Sequence, residues 1–183
     1  LVELARGGSA GAKEQAAGAL GNLAVNAANK VAIAEAGGIA PLVELVRGGS
    51  AGAKEQAAWA LRNLAANNDA NKVAIAEAGG IAPLVELARG GSAGAKESAA
   101  GALRNLASND ANAAAIAEAG GIAPLVELVR RGSEGAKESA AGSLHERTSE
   151  VVRLEDEVAQ LKEKLERAEA TASSGSGGCC TIA

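Results

Sequence analysis

A nine-residue string returns three times along this chain at an almost constant spacing. The string Gly-Gly-Ile-Ala-Pro-Leu-Val-Glu-Leu occupies residues 37–45, 79–87 and 120–128, and its last four residues open the chain. Its proline, at positions 41, 83 and 124, gives spacings of 42 and 41 residues. A second string, Leu-x-Asn-Leu, occupies residues 20–23, 61–64 and 103–106. A period of this length indicates an array of similar units that stack on one another.

The first half of each unit predicts two helices. Residues 29–36 predict a short helix that ends at Gly37 and Gly38, because glycine adopts the left-handed conformation that closes many helices. Pro41 suits the first turn of a second helix, where its missing N–H group costs nothing. We expect that helix to reach about Val46.

The second half of the unit predicts a third and longer helix. Ser50 is a suitable N-cap residue, since its hydroxyl can accept a hydrogen bond from a free backbone N–H group. The helix should reach about Ala65. Its apolar residues recur every three or four positions and form one stripe, at Ala57, Leu61, Leu64 and Ala65. A single unit cannot enclose this stripe, so neighbouring units must bury it between them.

Composition supports an all-α class. Hydrophobic residues make up 48% of the 183 residues, yet Phe, Tyr and Met are absent and there is 1 Trp. The apolar side chains are therefore mainly Ala, Leu, Val and Ile, which favours close-packed helices over an aromatic-rich sheet. We predict a right-handed α-solenoid of three-helix repeats, followed by a long helix and a tail.

Charge and composition also disfavour several functions. The chain has 18 basic and 22 acidic residues, a net charge of -4, so it lacks the polycationic character of a nucleic-acid binder. Its 1 His excludes multi-histidine metal sites and most histidine-based triads. No apolar run approaches the roughly 20 residues of a membrane span. We predict no enzymatic activity and no cofactor.

The repeated unit resembles the armadillo repeat of β-catenin, importin-α and vacuolar-type armadillo scaffolds. The similar positions are Asn-Lys-x-x-Ile at 71–75, Gly-Gly-Ile-x-Pro-Leu-Val-x-Leu at 79–87 and Ala-Ala-x-x-Leu-x-Asn-Leu-Ala at 99–107. The resemblance covers about residues 1–144. It implies that the third helices line a concave groove that holds an extended peptide.

The repeats and the composition divide the chain into segments. The predicted armadillo region comprises a partial unit and three fuller units, at residues 1–28, 29–70, 71–111 and 112–144. A coiled-coil-like helix at 145–170 and a flexible Ser/Gly tail at 171–183 follow.

The third helices carry the candidate peptide-binding residues. Glu55, Trp59 and Asn63 stand four residues apart and so share one helix face. An asparagine amide has both donors and an acceptor, and can hold a peptide backbone. We predict a peptide-binding site at Asn22, Asn63 and Asn105, with Trp59 and Glu55. The alternatives are that the asparagines bridge neighbouring helices and that Trp59 fills space between units.

The resemblance to importin-α is incomplete in this face. Trp59 and Asn63 match the Trp-x-x-x-Asn arrangement that the resemblance associates with basic localisation peptides. The other copies have glycine at the tryptophan position, at residues 18, 101 and 142. Arg62 and Arg104 would also repel a basic ligand if they face the groove.

Residues 150–169 predict a short coiled coil. Taking Val151 as position a places apolar residues at a (Val151, Val158, Leu165) and d (Leu154, Leu161, Ala168). This seam favours a parallel pair of helices and hence a homodimer. The alternative is that the helix folds back and caps the last repeat, since solenoid ends require a polar cover.

The last four residues resemble a prenylation box. Cys180 stands three residues from the end, Ile182 is aliphatic and Ala183 is a farnesyl-type last residue. Cys179 would then be a second lipidation site. We therefore expect a cytoplasmic protein, with lipid tethering to a membrane and a nuclear location as alternatives.

These features predict a non-enzymatic scaffold that binds an extended segment of a protein partner, and not a nucleic acid. One alternative is an importin-α-like receptor for basic localisation peptides. Another is the substrate-recognition module of a larger ubiquitin ligase.

Overall fold

The computed structural model describes residues 1–144, which form helices joined by short turns. The helices are α1 (Val2–Gly7), α2 (Ala10–Leu23), α3 (Ala27–Glu35), α4 (Ile39–Gly48), α5 (Ala51–Ala65), α6 (Asp69–Glu77), α7 (Ile81–Gly90), α8 (Ala93–Ala107), α9 (Asp110–Glu118) and α10 (Ile122–Arg131). Residues 134–144 are the described part of α11. No strand occurs in this range, so the all-α solenoid prediction is confirmed.

The helices follow the predicted order of three per unit. The first helices are α3, α6 and α9, the second helices are α1, α4, α7 and α10, and the third helices are α2, α5, α8 and α11. The second helices α1, α4 and α7 each pack on the third helix of their own unit, and α5 lies between α2 and α8. The chain divides by its internal contacts into Leu1–Arg147 and Thr148–Ala183, and every described residue belongs to the first unit.

The glycine pair after each first helix ends that helix as predicted. Gly37 has a φ of 71°, which is a left-handed conformation that costs glycine little. The N–H group of Gly38 donates a hydrogen bond to the carbonyl oxygen of Ile33 at 2.9 Å. The arginine at the end of the preceding second helix, Arg6, places its guanidinium 4.0 Å from the position of a Cβ on Gly37.

The third helices form the core. Ser50 caps α5 by accepting a hydrogen bond from the backbone N–H of Ala53 at 3.1 Å. The predicted apolar stripe of α5 is wholly buried: Ala57, Leu61, Leu64 and Ala65 are each 0% exposed. Burying such side chains stabilises the stack by about 1.5–3 kcal/mol for each leucine.

Buried asparagines connect the first helices to neighbouring elements. The Asn71 amide donates to the carbonyl oxygens of Leu64 and Lys30, at 3.1 and 3.4 Å. Asn112 donates in the same way to the carbonyl oxygen of Lys72 at 3.2 Å. Asn71 is 3% and Asn112 5% exposed. These bonds satisfy buried carbonyl groups, as burial of a polar group requires.

None of the helices in residues 1–144 is by itself long and apolar enough to span a membrane. Two consecutive helices, Asp110–Glu118 and Ile122–Arg131, are long and apolar enough only when they are taken together, and they are bent by 87° relative to each other.

Candidate functional site

The predicted binding residues lie on the side of the third helices opposite the core. In α5, Leu61 and Leu64 are 0% exposed, whereas Glu55, Trp59 and Asn63 are half-buried. The equivalent face of α8 carries Asn105, also half-buried. We call the solvent-facing side of α2, α5 and α8 the third-helix surface. Because α5 packs against both α2 and α8, this surface is continuous across three units.

Asn63 and Asn105 both bridge to the preceding third helix. The Nδ2 atom of Asn63 donates to the carbonyl oxygen of Gly21 at 3.0 Å, and that of Asn105 donates to the carbonyl oxygen of Arg62 at 2.9 Å. Both acceptors lie in the last turn of a helix, and the Arg62 carbonyl also accepts from the backbone N–H of Ala66 at 3.2 Å. Each asparagine keeps one amide N–H and its Oδ1 atom for a further partner.

Asn22 is placed differently. It lies at the C-terminal end of α2 and is exposed, and its side chain makes no hydrogen bond to any residue between 1 and 144. Its backbone carbonyl accepts a weak hydrogen bond from the N–H of Val25 at 3.4 Å. Asn22 thus occupies the equivalent position to Asn63 without the bridge.

Trp59 lies across the preceding third helix. A Cβ atom placed on Gly21 would stand 2.3 Å from Cε3 and 2.4 Å from Cζ3 of the indole ring. Gly21, Trp59 and Asn63 therefore form one contact group, which we call the first junction. The ring is half-buried, so Trp59 both fills space between units and offers surface to solvent.

Between α5 and α8 the large residue and the glycine have exchanged helices, compared with the first junction. Gly101 stands where the first junction has Trp59, and Arg62 stands where it has Gly21. A Cβ atom placed on Gly101 would lie 2.6 Å from both Cδ and Nε of Arg62. Arg62, Gly101 and Asn105 form the second junction, in which the arginine side chain covers the glycine.

Arg104 and Gly142, which we call the third junction, repeat the contact of Arg62 with Gly101. A Cβ atom placed on Gly142 would lie 2.4 Å from Nε of Arg104 and 2.7 Å from its Cδ. Two of the glycines at the tryptophan position, Gly101 and Gly142, are therefore not empty slots, because an arginine from the preceding unit lies over each of them. This contact was not predicted from the sequence. The sequence pattern that could have indicated it is a large residue and a glycine that stand 38 or 39 positions apart. The pairs are Gly21 with Trp59, Arg62 with Gly101 and Arg104 with Gly142.

Glu55 belongs to a second set of contacts between units. The hydroxyl of Ser92 donates to Oε2 of Glu55 at 2.7 Å, while the same hydroxyl caps α8 by accepting from the Ala95 N–H. Glu14 and Glu97 accept equivalent bonds from Ser50 and Ser133, at 3.2 and 3.0 Å. These carboxylates lie beside the start of the next third helix, where the helix dipole favours negative charge. Glu55 thus has a structural role that its predicted binding role did not include.

Inter-unit clefts also occur on the opposite edge, between the second helices. One of them, of about 700 Å³, is lined by side chains that include Arg47, Lys54, Pro83 and Glu86. Arg47 pairs with Glu44 within its own helix. Within residues 1–144, no three or more His, Cys, Asp and Glu side chains are grouped to hold a metal ion.

The Armadillo/beta-catenin-like repeat family matches residues 26–66 and 68–108, which cover the first two full units. The chain therefore contains armadillo repeats. None of the curated proteins matches its sequence significantly.

Solved structures similar to the chain include designed armadillo proteins. One, a designed armadillo repeat protein in complex with the peptide (KR)4, is 31% identical with a TM-score of 0.74 and matches over 79% of this chain and 62% of its own. Another, computationally designed for modular peptide recognition, is 29% identical with a TM-score of 0.73, over 79% and 62%. An engineered protein is 33% identical with a TM-score of 0.75, over 79% and 60%. The armadillo chain therefore spans about three fifths of their lengths.

The predictions for the C-terminal part lie outside the described residues. They concern the coiled coil and homodimer at 150–169 and lipidation at Cys179 and Cys180. They remain predictions, as do the membrane tether and the cytoplasmic or nuclear location.

Proposed function

We propose that this armadillo protein is a non-enzymatic scaffold whose third-helix surface binds an extended segment of a partner protein. The surface is continuous over three units and carries the same polar group at the same position of α5 and α8. A regular row of amides suits a ligand whose own polar groups recur regularly, and an extended peptide backbone is such a ligand.

The observation that carries the proposal is the unused hydrogen-bonding capacity of Asn63 and Asn105. The inter-unit bond holds each amide in place by one of its N–H groups. The remaining N–H can donate to a peptide carbonyl, and Oδ1 can accept from a peptide N–H. Because the side chains are already fixed, a ligand loses little of its binding energy in ordering them.

The solved structures support this use of the fold. One similar designed protein carries a bound peptide, and another was designed for peptide recognition. Peptide binding is a property of those proteins, and for this chain it is part of the proposal. Neither the family match nor these structures indicate an enzyme.

The test compares binding of a random 12-residue peptide library to the wild-type chain and to the Asn63→Ala/Asn105→Ala variant. We expect the wild-type chain to select peptides and the variant to lose at least tenfold in affinity for them. The matched control is Ser50→Ala/Ser92→Ala, which also removes two inter-unit hydrogen bonds but leaves both amides intact. Selection of no peptide, or equal binding by the asparagine variant, would overturn the proposal.

A receptor for basic localisation peptides is the second candidate, favoured by the neighbouring Trp59 and Asn63 at the first junction. The third candidate, a recognition module of a larger ubiquitin ligase, would use the same surface for its substrate. The charged side chains of the third-helix surface determine whether it favours basic or acidic ligands.

A further inference from the structure

The charged groups of the third-helix surface differ in whether they already have partners. The carboxylates of Glu14, Glu55 and Glu97 each accept a hydrogen bond from a serine of the next unit. The guanidinium of Arg62 makes no ion pair with any residue in the described range 1–144. These carboxylates thus each have a hydrogen-bond partner within the fold, whereas the guanidinium of Arg62 has no ion-pair partner in this range.

Arg62 is positioned beside an asparagine of the proposed peptide site. Arg62 extends over Gly101, which precedes Asn105 by four residues and so lies on the same face of α8. Its own carbonyl oxygen accepts the Asn105 amide at 2.9 Å. The side chain is half-buried, with its stem packed on the glycine, so its orientation is restricted before a ligand binds.

Arg104 repeats this placement one unit further on. Its side chain lies over Gly142 and is 48% exposed. The nearest carboxylate, that of Glu138, is 3.8 Å away and 81% exposed. A long, exposed pair of this kind contributes little, so a ligand carboxylate can replace Glu138 as the partner of Arg104.

We propose that Arg62 and Arg104 bind acidic side chains of the peptide, so that the ligand of this surface is an extended acidic segment. The inference rests on the proposed function and names its ligand class. Arginine binds a carboxylate through two parallel hydrogen bonds, and a partly buried site strengthens them. A basic peptide such as (KR)4 would instead place cations beside two guanidinium groups.

The spacing of the junctions predicts the spacing of the acidic residues. Packed helices lie about 8–10 Å apart, and alternate residues of an extended chain are about 6.6–6.8 Å apart on one face. The glutamate side chains of the peptide can span the difference. The peptide should therefore present carboxylates at positions i and i+2.

The first junction extends this pattern with an apolar residue. There the surface offers the half-buried indole of Trp59 instead of a guanidinium. The ligand should place an apolar side chain two residues from the nearer carboxylate. The sequence Leu-Ser-Glu-Ser-Glu and its reverse represent the two possible directions of the peptide, and one of them should bind more tightly.

The experiment measures binding of these two fluorescent peptides, and of (KR)4, by anisotropy at low and high salt. We expect the better acidic peptide to bind at least tenfold more tightly than (KR)4, and to weaken as salt screens the charges. The Arg62→Gln/Arg104→Gln variant should lose about tenfold in affinity for it, as expected for two partly exposed ion pairs. The control variant, Arg130→Gln/Arg131→Gln, changes the net charge equally at exposed positions of α10 and should bind within twofold of wild type.

The outcomes separate this inference from the proposed function. Tighter binding of (KR)4 than of both acidic peptides, or equal loss in the two arginine variants, would overturn the acidic ligand. The peptide-binding function would still stand if the bound peptide were lost on Asn63→Ala/Asn105→Ala. Circular dichroism and a thermal melt of each variant establish that the solenoid remains folded.

Discussion

The indole ring of Trp59 lies against Gly21 of the preceding unit, so closely that a Cβ atom on Gly21 would be 2.3 Å from Cε3 of the ring. At the second junction the large residue comes from the preceding unit instead, with Arg62 over Gly101. The units are therefore not interchangeable, although their sequences are almost the same. Each interface allows one large side chain at this position, and the residue that supplies it decides what the surface offers to a ligand.

Gly21→Ala should destabilise the protein. Alanine favours a helix over glycine by about 0.5–1 kcal/mol, but overpacking against a fixed ring costs about 1–3 kcal/mol. We expect the free energy of unfolding in urea to fall by about 0.5–2 kcal/mol, the difference between these effects. The control is Gly11→Ala in the same helix, where a Cβ atom meets nothing within 4 Å and stability should not fall. Equal stability of the two variants would show that Trp59 moves freely.

Exchanging the residues of the second junction tests whether the two positions act as a pair. Gly101→Trp alone should be destabilised by about 1–3 kcal/mol, because the indole and Arg62 require the same space. Arg62→Gly alone should lose about 0.5–1 kcal/mol of helix stability. The double variant recreates the Trp59–Gly21 pair, so it should be more stable than the sum of the single changes by about 0.5–3 kcal/mol. Urea unfolding of all four proteins gives the coupling energy, and a value of zero would contradict the pairing.

Gly94→Ala should behave differently from Gly21→Ala despite a similar distance. A Cβ atom there would lie 2.5 Å from Oε1 of Glu55, the end of a flexible side chain that can rotate away. The movement breaks the Ser92–Glu55 hydrogen bond, worth about 0.5–1.5 kcal/mol, while alanine adds about 0.5–1 kcal/mol of helix preference. The midpoint of urea unfolding should therefore change little. A loss as large as that of Gly21→Ala would mean that the Glu55 carboxylate is held rigidly.

The sequence predicted those features of the fold that depend on residues close together in the chain. Gly37 ends α3 and Ser50 caps α5 because each acts on the turn beside it. The position of Asn63 on the third-helix surface followed from helix periodicity alone. Its bond to Gly21 spans 42 residues, and the contact of Arg62 with Gly101 depends on the register between units. Neither contact can be derived from the pattern of one unit. The sequence therefore predicted that the arginines lie next to the asparagines, but not that their side chains cover the glycines of the following unit.

The buried asparagines of the first helices should contribute more to stability than the equivalent residue at the start of the array. Asn71 is 3% exposed and donates to the carbonyl groups of Leu64 and Lys30, so Asn71→Ala leaves the buried Leu64 carbonyl, in the last turn of α5, without this partner. Such a loss costs about 1–3 kcal/mol.

The control for this change is Asn29→Ala, at the equivalent position of α3. Asn29 is half-buried and donates to the Leu23 carbonyl at 3.1 Å, in an exposed setting that water can replace. We expect a loss below about 1 kcal/mol for Asn29→Ala, because the freed carbonyl becomes hydrated. Hydrogen exchange should also show faster exchange around α6 in the Asn71 variant, since the amide joins α6 to both α3 and α5. Similar losses in the two variants would mean that burial of the carbonyl groups does not determine the cost.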